Sequence, residues 1–324
     1  MRSAVTTLLV CAVAVATVLT SACQRQPPSA GGPLDRSVTL GGKLVSAEQL
    51  RRGAAAYSHY CRACHGEGGH GDGLSARGLN PPPRDLRLGV YKFAAVATGQ
   101  LPNDEDFRRI ITGGLHGTAM LAWDIPAVEL DALIQFIKAL SPRWQTETPG
   151  DPIVMTKDPW TGRDAAAIDR GKRVYHGMAQ CAVACHPAYA TRQEIFDFTH
   201  ELSQMRLEEF RADLYEGVPK PSVYGVMILP PDFTFQPLRA GETVPDIARS
   251  IASGIGGTAM PTWKNVLPDS DLWAMAYYVR SLVVLRDTAG AGELRAGLVG
   301  QAAWVVPAAP DAGFDATPDA SVRR

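Results

Sequence analysis

One pattern occurs twice in this chain. Cys61-Arg62-Ala63-Cys64-His65 is followed by Gly117-Thr118-Ala119-Met120, and Cys181-Ala182-Val183-Ala184-Cys185-His186 by Gly257-Thr258-Ala259-Met260. In each copy a cysteine pair closed by His comes first, and a Met inside an identical tetrapeptide comes later. The fold of each copy must therefore bring an early thiol–imidazole cluster against a thioether far downstream.

Two thiols with an adjacent His are the attachment pattern of a c-type haem: the thiols bond the haem edge and the imidazole meets the iron. Adjacency makes the geometry easy, because the cross-links already hold the backbone beneath the ring. A zinc site or a reduced redox pair would use the same residue types. The second copy departs from the first, since three residues rather than two separate Cys181 from Cys185, and its loop must bulge by one. A single thioether, or no haem at all, is the competing reading there.

Met120 and Met260 are the candidate sixth ligands. Met120 is the sole Met between His65 and the following linker. In the second copy Met205, Met227 and Met275 compete, but Met260 alone sits in the repeated turn. His70, His116 and His200 are rival ligands that would lower the potential, whereas a thioether raises it. His59 and His176 read as surface residues beside the first helices.

The repeat extends beyond the ligands. Arg52-Gly53-Ala54-Ala55-Ala56-Tyr57 precedes the first pair and Arg170-Gly171-Lys172-Arg173-Val174-Tyr175 the second, each with Gly followed by an aromatic four residues on. Downstream, Trp123 and Trp263 stand three residues after each Met. An apolar helix follows, with Leu130, Leu133, Ile134, Ile137 and Leu140 at one-face spacing in the first copy. Its counterpart, Leu272 to Leu285, is apolar all round, which predicts burial on two sides.

On these residues the chain resembles a diheme protein of the cytochrome c class I superfamily over roughly residues 46–286. The resemblance implies an all-α fold of two tandem domains, each a few helices around a covalently bound haem c. It implies attachment at Cys61, Cys64, Cys181 and Cys185, with iron ligated by His65 and Met120 and by His186 and Met260. It also implies that Phe136 and Tyr278 cross the glycines of the first helices. Pro83 and Pro231, or their neighbours, are candidates to accept a hydrogen bond from the two proximal imidazoles. Arg84, Arg87, Lys92 and Trp123 are candidates to meet haem propionates.

Residues 1–23 read as an export signal: Arg2, an apolar run from Ala4 to Leu19, and a small-residue end at Cys23. Cys23 resembles the lipidated residue of a bacterial lipoprotein, with ordinary cleavage near Ala22 as the alternative. Of six cysteines, Cys11 lies in the signal, Cys23 is the anchor candidate, and four form the haem pairs. Residues 24–45 read as a Pro/Gly-rich tether, 46–141 as the first domain, 142–163 as a linker, 164–286 as the second domain and 287–324 as a low-complexity tail. Within the tail, Trp304-Val305-Val306 could dock locally.

His186 lies 74 positions before its Met and His65 lies 55 before its own, a difference of 19. The extra residues fall in 191–216, where Ile195, Phe198, Leu202 and Met205 share one face of an expected helix, either a cap on the haem pocket or a docking face.

A formal net charge of −1 offers nothing for nucleic acid. The leading functional expectation is an exported, periplasmic electron carrier anchored to the membrane by lipid, not an enzyme, because ligation on both faces leaves neither iron open. The alternatives are a diheme enzyme such as a cytochrome c peroxidase or thiosulfate dehydrogenase, and a fixed subunit of a respiratory or dehydrogenase complex.

Overall fold

The computed structural model describes residues 34–307. The signal with Cys11 and Cys23, the start of the tether (24–33) and the end of the tail (308–324) lie outside the described residues.

A hairpin of β1 (Val38–Leu40) and β2 (Lys43–Val45), with Leu40 opposite Lys43, opens the described chain. It is followed by α1 (Ala47–Tyr60), the single turn α2 (Arg62–His65), α3 (Asp104–Gly113), α4 (Ala127–Ala139) and the short α5 (Arg143–Thr146). The second half begins with α6 (Asp164–Arg173), which runs into a π-helical turn over Val174–Met178. Next come α7 (Cys181–Ala184), α8 (Arg192–Ser203), the paired two-residue strands β3 (Lys220–Pro221) and β4 (Met227–Ile228), and α9 (Val244–Ser253). The long α10 (Asp269–Val283) and α11 (Ala289–Val299) close it. The fold is all-α, with two separate apolar cores, one for each half.

The same helix crossing organises both cores. α1 packs across α4, and α6 across α10. A Cβ at Gly53 would stand 2.1 Å from the Ala132 carbonyl oxygen and 2.8 Å from Phe136 Cβ; at Gly171 it would stand 2.0 Å from the Ala274 oxygen and 2.8 Å from Tyr278 Cβ. Only glycine lets the backbones approach so closely. The side chains Leu130, Leu133, Ile134 and Ile137 are buried along α4, each worth about 2 kcal/mol of burial. In α10, Leu272, Met275, Tyr278, Val279 and Leu282 are all buried, because this helix is covered by both α6 and α9.

Three stretches expected to be loose are built into the fold. The tether is structured from Val38, with Leu40 and Val45 buried. The linker carries α5, whose Trp144 is fully buried beneath Gly41, and it then runs along the second domain through Trp160 Nε1, which donates to the Ser270 carbonyl at 2.8 Å. The tail forms α11, with Leu298 buried, and Trp304 packs on Phe196 and Phe210 at 5.5 and 5.0 Å between centroids. These segments bury single aromatic or aliphatic residues, so they have no periodic face for a pattern reading to detect.

Candidate functional site

In the first domain Ser46 caps α1, accepting from Gln49 N at 3.1 Å, and the helix delivers Cys61 at its end. His65 N donates to the Cys61 carbonyl at 2.9 Å, so Cys61, Cys64 and His65 occupy one helical turn. His65 Nδ1 donates to the Arg84 carbonyl at 3.0 Å, the neighbour of Pro83. That bond leaves Nε2 with its lone pair free for a metal. Tyr57 Oη donates to the carbonyl of Gly66, the residue after the His, at 2.8 Å.

In the second domain Tyr175 Oη donates to the carbonyl of Pro187, again the residue after the His, at 3.0 Å. Yet three more residues lie between Tyr and His than in the first domain. The π-helical turn takes up part of that excess, closing with Ala179 N donating to the Val174 carbonyl at 2.8 Å. The attachment loop takes up another residue: His186 N still donates to the Cys181 carbonyl at 2.9 Å, now five residues away rather than four. This is the bulge that the wider cysteine spacing demands.

The longer path to Met260 braces that bulge, a role its sequence did not announce. From this segment Arg211 donates to the carbonyls of Ala182 at 3.1 Å, His186 at 2.9 Å and Glu216 at 2.7 Å, and Val218 N donates to the Cys185 carbonyl at 2.8 Å. Helix α8 begins with a capping box between Thr191 and Glu194 and buries Ile195 and Phe198 against the π-helical turn. Leu202 is half-buried, and Met205 lies beyond the helix end, exposed.

His176, expected at the surface, is fully buried. Its Nδ1 donates to the Lys172 carbonyl at 2.9 Å and its Nε2 accepts from Tyr189 N at 3.1 Å. Burial pushes its pKa down to about 4. His59, His70, His116 and His200 are exposed.

The two Met turns are the same structure. Thr118 Oγ1 donates to the Leu115 carbonyl at 2.8 Å and accepts from Met120 N at 3.1 Å. Thr258 Oγ1 donates to the Ile255 carbonyl at 2.8 Å and accepts from Met260 N at 3.2 Å. Each turn follows a left-handed glycine, Gly114 (φ 68°) and Gly254 (φ 73°), where a Cβ would come within 2.9 Å and 2.8 Å of the Met carbonyl oxygen. Met120 packs against the first core and Met260 against the second. Of the rival methionines, Met205 and Met227 are exposed and Met275 is buried.

A cavity of about 1220 Å³ holds Cys181, Cys185, His186 and Met260 in its lining, with Met275 and Phe233 among its apolar walls. Small-molecule sites usually offer roughly 300–1,000 Å³, so this space admits a porphyrin. The donor set fits as well. Burial pushes the Cys61 and Cys181 thiols up to about 12, the reverse of the depressed value that a redox-active or nucleophilic cysteine needs. Among the described residues no three His, Cys, Asp or Glu side chains form a group that could hold a metal ion. Burial also pushes the His186 imidazole down to about 4, so it is neutral and able to ligate; its Nδ1 has no hydrogen bond, although the Pro231 backbone faces it.

The domains meet at these turns. His116 N, four residues before Met120, donates to the Arg239 carbonyl at 2.9 Å, and Gly256 N, four before Met260, donates to the Lys92 carbonyl at 2.9 Å. Each Met turn is thus held by the other domain, in a reciprocal arrangement.

Residues 48–137 match the family described as cytochrome c oxidase, cbb3-type, subunit III. A solved chain of the reducing HAO-like protein complex of Kuenenia stuttgartiensis is 28% identical, with a TM-score of 0.56, over 72% of this chain and 96% of that one. No curated protein matches the chain. With the helical fold and the Cys-x-x-Cys-His turn, these likenesses support a cytochrome c domain over residues 48–137, and a domain of that kind takes covalent haem c.

Proposed function

We propose that the chain is a diheme electron-transfer protein with two tandem cytochrome c domains. Cys61, Cys64, His65 and Met120 would hold one haem c, and Cys181, Cys185, His186 and Met260 the other. The observation that carries the reading is the identity of the two Met turns, hydrogen bond for hydrogen bond, behind identical glycine-mediated helix crossings. A fold that had lost its second site would have no reason to preserve that turn.

Haem c bound there would exchange one electron between ferric and ferrous states, and a Met thioether opposite His favours the ferrous form. The chain's part is to orient and to exclude. The Arg84 carbonyl fixes the His65 ring, the Thr118 and Thr258 hydroxyls lock the Met turns, and the apolar walls keep water from the ring faces. Were His65 with Met120, and His186 with Met260, to hold their irons as proposed, neither iron would be open to substrate, which favours a carrier over a peroxidase-like or thiosulfate-oxidising enzyme.

Pyridine haemochrome analysis together with a redox titration followed optically and by EPR tests this. Two low-spin haems per chain, neither binding carbon monoxide at neutral pH, are expected. One haem per chain, or rapid carbon monoxide binding by the reduced protein, overturns the carrier reading and turns attention to the enzyme alternative.

Export to the periplasm and anchoring through lipidated Cys23 belong to the same proposal and rest on Arg2, the apolar run before Leu19 and the thiol itself. No helix among the described residues is long and apolar enough to cross a membrane. A C23S variant should move from the membrane fraction to the soluble periplasmic fraction. Assembly with a redox partner complex is supported by the Kuenenia neighbour, which is itself part of one, and co-purification from detergent-solubilised membranes would reveal it.

A further inference from the structure

Three basic side chains gather where the domains meet, and among the described residues none pairs with a carboxylate. Arg84 and Lys92 belong to the first domain and Arg239 to the second. All three line the cavity that contains Cys181, Cys185, His186 and Met260. The Arg84 guanidinium lies 3.3 Å from the centroid of the Tyr224 ring, and Lys92 Nζ lies 5.6 Å from the same centroid. Tyr224 is itself fixed to the Met260 turn, its Oη donating to the Gly256 carbonyl at 2.8 Å.

The contrast with neighbouring basic residues is informative. Arg109 and Arg249, one from each domain, are matched with Asp106 and Asp246. Arg84, Lys92 and Arg239 repel one another instead: Lys92 is pushed down to about 8, first by burial and then by the charges of Arg84 and Arg239. Half-buried charges without a counter-ion are costly, so this cluster calls for an anion. The surrounding cavity calls for a large apolar body. A molecule that satisfies both carries carboxylates at one edge of a flat hydrophobic ring.

We infer that Arg84, Lys92 and Arg239 form the carboxylate-binding end of the second domain's haem cavity, so that the first domain supplies two of the three cations holding that haem's propionates. The assignment to the second domain follows from the lining, which includes its four ligand residues and none of Cys61, Cys64, His65 or Met120. Arg84 then serves both sites: its carbonyl orients His65, while its guanidinium faces the other domain's haem. The inference rests on the proposed haem at Cys181 and Cys185.

A positive charge beside the propionates favours ferrous over ferric iron, because the ferrous centre carries one positive charge fewer. The test uses full-length, haem-loaded protein carrying R239Q or K92Q, with R77Q, at an exposed position outside the cavity lining, as control. M260H identifies the second-domain haem, since the change of ligand displaces its potential. Each of R239Q and K92Q should lower that haem's midpoint by a tenfold change in its reduction equilibrium, which is 59 mV for one electron, and leave the other haem in place. R239K should restore most of the loss, and the propionate bending band in resonance Raman should shift in the glutamine variants. Midpoints unchanged in both glutamine variants, or displaced equally at both haems, would overturn the inference. A wild-type count of one haem per chain would instead remove the reading beneath it.

Discussion

His176 shows how little a residue's neighbours in sequence say about its surroundings in space. Its ring donates at Nδ1 and accepts at Nε2, so a second proton would set two donors, Nε2–H and the Tyr189 N–H, against each other. The fold therefore binds the neutral ring. The sign follows: above pH 6.5 the ring is neutral in both states and stability is constant, and as pH falls from 6.5 towards 4 only the unfolded chain takes up the proton. Stability should decline across that window by up to about 3 kcal/mol. Urea unfolding at several pH values should show this in the wild type, with H176Q starting lower but losing less. If the proposed haems are bound, Met260→His should lower the potential of one and spare the other, because an imidazole would replace a thioether that favours ferrous iron; redox titration reads the difference. The candidate ligands stand out in the sequence, because a cysteine pair closed by His and followed by a Met in a repeated tetrapeptide is an unusual combination. The sequence places the acceptor for His65 at Pro83 or a neighbour, and only the structure picks the Arg84 carbonyl, because any residue could supply one.

At the scale of elements, the crossings of α1 over α4 and α6 over α10 follow what the resemblance implies, with Gly53 and Gly171 at the contact points. Their strictness is testable: G53A and G171A each drive a Cβ into a carbonyl oxygen about 2 Å away, and each should cost about 3 kcal/mol of stability as the helices separate. Denaturant titration measures it, and a loss below 0.5 kcal/mol would show that the helices slide apart freely. The braced attachment loop of the second domain is the opposite case. Arg211 reaches several backbone carbonyls, and carbonyls leave no mark in a sequence. R211K keeps the charge but lacks the planar fork that reaches them together. Mass spectrometry of haem peptides should find incomplete attachment at Cys181 and Cys185 and full attachment at Cys61 and Cys64. The 19-residue difference between the copies thus serves the loop that carries the irregular cysteine spacing.

At the scale of the whole molecule the two domains act as one body, because each holds the other's Met turn. Gly256 offers a clean probe. Its backbone is not in the left-handed region, yet an added Cβ would stand 2.1 Å from the Tyr91 carbonyl oxygen across the interface. G256A should pry the domains apart, splitting a single calorimetric transition into two and enlarging the radius of gyration seen by solution scattering; an unchanged profile would mean the interface yields. The sequence by itself determined the class of fold, the repeated motif and the candidate attachment residues, because covalent motifs and apolar periodicity are local and survive in one dimension. Only the tertiary structure decided how the copies face each other, that the apparent linker and tail are packed, and that Arg84, Lys92 and Arg239 converge without a counter-charge. Those features depend on backbone hydrogen bonds and on contacts between residues more than a hundred positions apart, which neither composition nor spacing encodes.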